Sequence, residues 1–319
     1  MTISDSFGRL LERRYSRRSV LHGAALLATA GVASLRPFHL AASAGDTAPA
    51  WPFGFSEPAK GYFAHHILPE SYDAQLLLRW GDRLFPDTPP FTPNKQTAQA
   101  QARQFGYNND FLAYLPFPYG VRSSSHGLLT VNHEFTNARL MFPGLTRAQE
   151  KTGVTDEQIA VQMQAQGISV IEIVRHGTQW QRVLGSEFTQ RITATTSVSI
   201  SGPAAEHARL RTSTDRTGRH VLGTFANCAG GVTPWGTVLS CEENFNTYFN
   251  GKTEDAVEQR NHIRYNIGGT AWHPWHRVDS RFDVTKAPHE PNRFGWVVEI
   301  DPYDPSFTPV KRTAQGRFK

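Results

Sequence analysis

The chain has 319 residues, 39% hydrophobic and 19% charged, enough apolar material for one large domain or two ordinary ones with real cores. Its formal charge of +5 is concentrated at one end: residues 1–44 hold six arginines against Asp5 and Glu12, leaving 27 basic and 26 acidic side chains in the remainder. A body so close to neutral offers no broad polyanion-binding field, which excludes nucleic acid as the natural partner.

In chain order, the first signal is Ser16-Arg17-Arg18-Ser19-Val20-Leu21, followed by a mildly apolar run to Leu35 and an Ala42-Ser43-Ala44 site. The run is too short and too mild to span a membrane. Basic region, apolar region and small-residue site in this order read as a twin-arginine export signal over residues 1–44. That makes the export machinery a partner and the periplasm or the exterior the destination. No stable membrane span is expected after processing. The body then covers residues 45–319. Residues 45–62, rich in Pro, Gly and aromatics, form an irregular lead-in. Tyr72 to Trp80 alternates enough to read as a strand. Four prolines between residues 86 and 94 make a loop. Thr97 to Phe105 has short helical character. Thr155-Asp156-Glu157-Gln158 resembles a capping box opening a helix that ends at Gly167.

Internal repetition follows. Gly127 to Glu134 can be laid on Gly236 to Glu243, 109 residues later, each a Gly, a β-prone run and a Glu in eighth place. Ile168 to Val174, turning at His176-Gly177 into Trp180 to Val183, resembles Trp296 to Ile300, turning into Pro309 to Arg312. Both read as hairpins with one nearly all-apolar strand. Few helices and re-used antiparallel units predict an all-β protein, and regular re-use favours a β-propeller over a sandwich. A propeller must close its ring to hide its edges. The chain reaches Lys319 just after a strand, so the expectation is the N-terminal part of a longer propeller domain.

Chemistry concentrates in Asn227 to Asn244, which holds both cysteines, three glycines and adjacent Glu242 and Glu243. Strand neighbours point to opposite faces, and the repeat aligns Glu134 with Glu243. Two carboxylates at equivalent strand ends repel unless a cation lies between them, and oxygen ligands suit calcium. Glu242 is a further candidate. Cys228, in a glycine-rich loop, can offer a thiolate to a transition metal such as iron. The alternative is a Cys228–Cys241 bridge across a hairpin. His133 is a possible ligand or base, though a lone histidine is more often structural. Asp156, Glu157 and Glu172 read as surface charges. No serine-nucleophile elbow, phosphate loop or H-E-x-x-H pair occurs.

The segment Asn227 to Thr237, followed by Ser240-Cys241-Glu242-Glu243-Asn244, resembles the PhoX family of bacterial alkaline phosphatases. Phe105 to Asp110, Val131 to Glu134 and Asn292 to Pro302 are similar to that family's other blocks. The resemblance implies a six-bladed β-propeller with a calcium and iron cluster. It implies metal-assisted hydrolysis of small phosphomonoesters with no side-chain nucleophile. Cys228, Glu134 and Glu243 would act through bound metals, and Glu299 would join the ligands. Members are roughly twice this long, so ligands from a second half would be missing. The competing expectations are another calcium-dependent propeller hydrolase and a non-enzymatic exported binding module.

Overall fold

The computed structural model describes residues 56–317, except Ser71 and Lys151. The signal-like segment 1–44 lies outside the described residues. The chain divides into two compact units, Met1–Asp73 and Ala74–Lys319. The described part of the first contains no helix or strand. The second unit is mostly β, with few helices, and holds two sheets.

The first sheet begins as an antiparallel meander of β1 (Asn109–Pro116), β2 (His126–His133), β3 (Gly167–His176) and β4 (Gln179–Arg182), while β5 (Gln190–Ile192) pairs with the start of β3. The second contains β6 (Ser197–Ser201), β7 (His220–Leu222), β8 (Asn227–Val232), β9 (Val238–Glu242), β10 (Val297–Ile300) and β11 (Val310–Arg312), in the order β7-β6-β11-β10-β9-β8. Only the β6–β11 pairing is parallel. Thus β8 to β11 repeat the meander of β1 to β4.

The nearly all-apolar character of β3 has a direct cause. Ile168 and Val170 pack on one face of the sheet with Leu128, Val238, Val298 and Ile300. Ile171 and Ile173 pack on the other with Leu84, Phe105 and Val131. A strand covered on both faces needs no polar alternation. Each such aliphatic side chain contributes about 1.5–3 kcal/mol by leaving water. The largest apolar cluster gathers aromatics such as Phe225, Tyr248, Trp275, Phe282 and Phe294 with Ile159 and Val161 of a helix.

That helix, α3 (Asp156–Ala165), has the expected capping box: the Gln158 amide N–H donates to Thr155 Oγ1 at 3.2 Å, and the Thr155 N–H donates to Gln158 Oε1 at 2.9 Å. It is preceded by the single-turn helices α1 (Ala98–Gln101), capped by Thr97, and α2 (Ala138–Met141), and followed by α4 (Ala256–Arg264). The expected strand at Tyr72 to Trp80 does not form. Residues 72–79 form no strand; the adjacent Leu77 and Leu78 instead both pack from a loop on the first sheet's core.

The repeat is carried in the register. Asn109 faces His133 and Leu112 faces Val131 across a bulge; Asn227 faces Glu242 and Gly230 faces Ser240 across another. Strands β1 and β8 each follow a left-handed residue, Asn108 at φ 55° and Ala226 at φ 53°. The hairpin comparison needs a shift. Glu299 faces Leu239, whose counterpart Thr130 faces Val170. Glu299 therefore corresponds to Val170, and Glu172 occupies a different level. Nor is Glu172 a plain surface charge: it accepts from Ser186 Oγ at 2.5 Å and lies 2.7 Å from His126 Nε2, mostly buried.

Candidate metal centre

The two meanders bring their first strands together, β1 against β8. The close approach requires Gly230, where a Cβ would stand 2.4 Å from the Phe111 ring and 2.8 Å from the Leu239 carbonyl oxygen. At this junction the bulge of each strand presents one side chain, Asp110 from β1 and Cys228 from β8. The Cys228 Sγ donates to Asp110 Oδ2 at 3.2 Å.

The two glutamates aligned by the repeat sit just past β2 and β9. The Glu134 N–H donates to the Asn108 carbonyl at 3.0 Å, and the Glu243 N–H to the Ala226 carbonyl at 2.8 Å. Each glutamate is thereby tied to the left-handed residue that precedes the first strand of its own meander. Single ligand atoms from Asp110, Glu134 and Cys228 all lie within 4.8 Å of one another, each residue half-buried. Asn108 Nδ2 donates to Glu134 Oε2 at 3.3 Å, and Asn244 Nδ2 to Glu243 Oε1 at 2.6 Å.

The electrostatics of this group are those of acids forced together. Burial, then the Asp110 and Glu243 charges, raise the Glu134 carboxyl above its ordinary range. Burial, the Asp110 hydrogen bond and the charges of Glu243, Glu134 and Asp110 push the Cys228 thiol up to about 12. Among the described residues, no Lys or Arg acts on either group. Convergent carboxylates and a thiol without a counter-charge form a donor set that fits a cation, with oxygen for a hard ion and sulfur for a softer one. Cys228 and Cys241 are both free thiols, and the bridge alternative is not what the structure shows.

Other candidates lie elsewhere. Glu299 accepts from Thr237 Oγ1 at 2.7 Å, Trp235 Nε1 at 3.3 Å and Arg312 Nε at 2.5 Å. These contacts hold its carboxyl below the usual range against the effect of burial. Glu242 pairs with Lys311 Nζ at 2.7 Å, both fully buried, and also accepts from the Gly295 and Trp296 N–H groups. Neither belongs to the three-residue group. His133 is buried, T-stacked on Phe105 and 2.8 Å from Ser169 Oγ. Burial first, then Arg191, lower its pKa well below the ordinary value, so it is a neutral core group. Asp156 pairs with Arg277, and Glu157 accepts from the Ala98 N–H.

Asp110 was given no role by sequence reasoning. Its signal was faint: Asn108-Asn109-Asp110 shares only one residue with Ala226-Asn227-Cys228, and an acid replaces the thiol at the decisive place. Equally silent was a buried network at the junction. Asn132 Nδ2 donates to the Cys228 carbonyl at 2.7 Å, Ser240 Oγ donates to Asn132 Oδ1 at 3.0 Å, and Asn227 Nδ2 donates to Ser240 Oγ at 2.9 Å.

Comparison with known proteins adds the following. Residues 53–319 match the family model described as alkaline phosphatase PhoX. No curated protein matches the chain. Among solved structures, the chain is similar to Pseudomonas fluorescens PhoX in complex with vanadate, a transition-state analogue. The identity is 43% and the TM-score 0.71, over 79% of this chain and 43% of that one. The chain thus spans less than half the length of that relative.

Proposed function

The chain belongs to the alkaline phosphatase PhoX family, and from that premise we propose that it hydrolyses small phosphomonoesters at the group formed by Asp110, Glu134 and Cys228. The observation that carries the reading is the convergence of these side chains, Asp110 and Cys228 from equivalent places in two repeats, with no Lys or Arg among the described residues acting on Glu134 or Cys228. A dianionic phosphate cannot approach bare carboxylates, so the site needs cations before it can bind this substrate.

Cys228, Glu134, Glu243 and Asp110 would hold the metals, which we take to be calcium and iron. Bound there, the ions would supply Lewis acidity toward the phosphoryl oxygens and a more acidic water. The chain's own residues position the ligands. The αL residues Asn108 and Ala226 anchor the two glutamates, and the Asn132 amide fixes the Cys228 backbone. Net hydrolysis adds one water across the phosphorus–oxygen ester bond and releases the alcohol and inorganic phosphate. We further read the two meanders as blades of a β-propeller, with β1 and β8 innermost. Residues 1–44 we read as a twin-arginine signal that delivers the protein to the periplasm or beyond.

The test is phosphate release from p-nitrophenyl phosphate by the chain loaded with calcium and iron, with vanadate as the inhibitor. Metal-dependent turnover blocked by vanadate is the expected result. A loaded chain that binds both metals yet releases no phosphate overturns the reading for this chain.

A further inference from the structure

Directly past the metal group lies a pocket of about 240 Å³ whose rim includes Glu134. Its walls come from the residues that follow the two aligned glutamates, Phe135 after Glu134 and Asn244 after Glu243, and from Tyr248, Trp272 and His273. Tyr248 is buried and stacks flat on His273, ring centroids 4.3 Å apart and planes 10° apart. The Tyr248 hydroxyl donates to Gln166 Oε1 at 2.9 Å. The Trp272 and His273 N–H groups both donate to the Thr247 carbonyl, at 2.9 and 3.1 Å. The floor and the Trp272 wall are therefore fixed by the backbone of the short turn that follows Glu243. Phe135 and Trp272 are 43% and 56% exposed.

We propose that this pocket receives the organic part of the substrate, and that the preferred substrates are aryl phosphates, in which the ester oxygen is borne by a planar aromatic ring. The inference rests on the phosphatase reading above and names its substrate class. Four aromatic or imidazole rings surround the space, and aromatic faces and edges favour another ring over an aliphatic chain. The volume suits one ring: a cavity of about 150 Å³ holds benzene. Among the described residues, no Lys or Arg lines the pocket. With the ring seated between Phe135 and Trp272, the phosphate lies at the Glu134 rim, where the metals would be held.

The test compares phenyl phosphate with glycerol 2-phosphate on the metal-loaded chain, for the native protein, Trp272→Ala and Phe135→Ala. The ratio of kcat/KM for phenyl phosphate over glycerol 2-phosphate should fall in each variant, on the order of threefold to tenfold for the loss of one ring contact. An unchanged ratio overturns the proposal. Phenol binding to the metal-free chain, read by saturation-transfer NMR, separates this proposal from the reading beneath it. Phenol contact that is present in the native chain and lost in Trp272→Ala supports the pocket even if neither ester is hydrolysed, and that failure would fall on the phosphatase reading alone. Phenol contact equal in the native chain and both variants overturns the pocket, whatever the turnover.

Discussion

The side-chain amide of Asn132, on β2, donates to the backbone carbonyl of Cys228, on β8, at 2.7 Å. One hydrogen bond thus joins the strand that ends at Glu134 to the bulge that carries the thiol. Asn132 is fully buried and also accepts from Ser240. Asn132→Ala strands a carbonyl and a hydroxyl away from water, and each such group costs about 1–3 kcal/mol. Urea unfolding should show a loss in that range. Isothermal titration should show weaker metal binding with no ligand removed. Unaltered metal affinity in a destabilised variant would leave Asn132 a purely structural residue.

The repeat of Glu134 and Glu243 was legible in the sequence because a strand's period of two and its final glutamate survive without any fold being known. So was the covered strand β3, whose apolar run has no other use. The level of Glu299 was not legible. Two hairpins with apolar strands can be slid by two residues without changing which face is apolar, and only the cross-strand partner decides the register. Asp110 was hidden for another reason. Its equivalence to Cys228 lies in backbone shape, a left-handed residue followed by a bulge, and the side chains there differ.

Glu134 carries a prediction about pH. Its carboxyl binds a proton more tightly in the folded chain than in the unfolded one. The metal-free folded state therefore gains from this group at acid pH and loses that gain as pH rises through the raised value. Above it, the charged form sits against Asp110 and Glu243. Glu134→Gln should melt higher than the native chain at pH 8 when both are metal-free, and the gap should close as pH falls toward 4. The same variant should bind calcium less tightly. A native chain that melts higher at pH 8 without metal contradicts the repulsion argued for this site.

Lys311 and Glu242 form a fully buried pair one residue from Glu243, and Lys311 Nζ also donates to the Arg293 carbonyl at 2.9 Å. Burial draws the Lys311 ammonium down to about 8, even with Glu242 opposing the shift. Removing one partner of such a pair leaves a buried charge alone, at a cost of about 3–5 kcal/mol. Lys311→Met should lose that much in urea unfolding. The double variant with Glu242→Gln should recover a substantial part, since the stranded charge is gone. A double variant no better than the single one would show that the cation–π contact of the Lys311 ammonium with Phe294, 3.7 Å from Nζ to the ring centre, matters more than its pairing with Glu242.

Cys228 gives the sharpest test of the metal centre. With its thiol pushed up to about 12, about one molecule in ten thousand carries the thiolate at pH 8, against about a quarter for a thiol of ordinary pKa near 8.5. The metal-free chain should resist iodoacetamide at Cys228 at pH 8, and peptide mapping should show the labelling rise steeply above pH 10. In urea, where the carboxylates disperse, labelling should become ordinary. A metal that takes this sulfur must displace the proton. Ferrous iron added to the native chain in weak buffer at pH 8 should therefore release one proton more than the same addition to Cys228→Ser. The serine variant should keep calcium better than iron, because it loses the soft donor and retains the carboxylates of Asp110 and Glu134. Equal proton release from both chains would mean that the thiol is not a ligand, and the metal centre would then have to be built from the carboxylates alone.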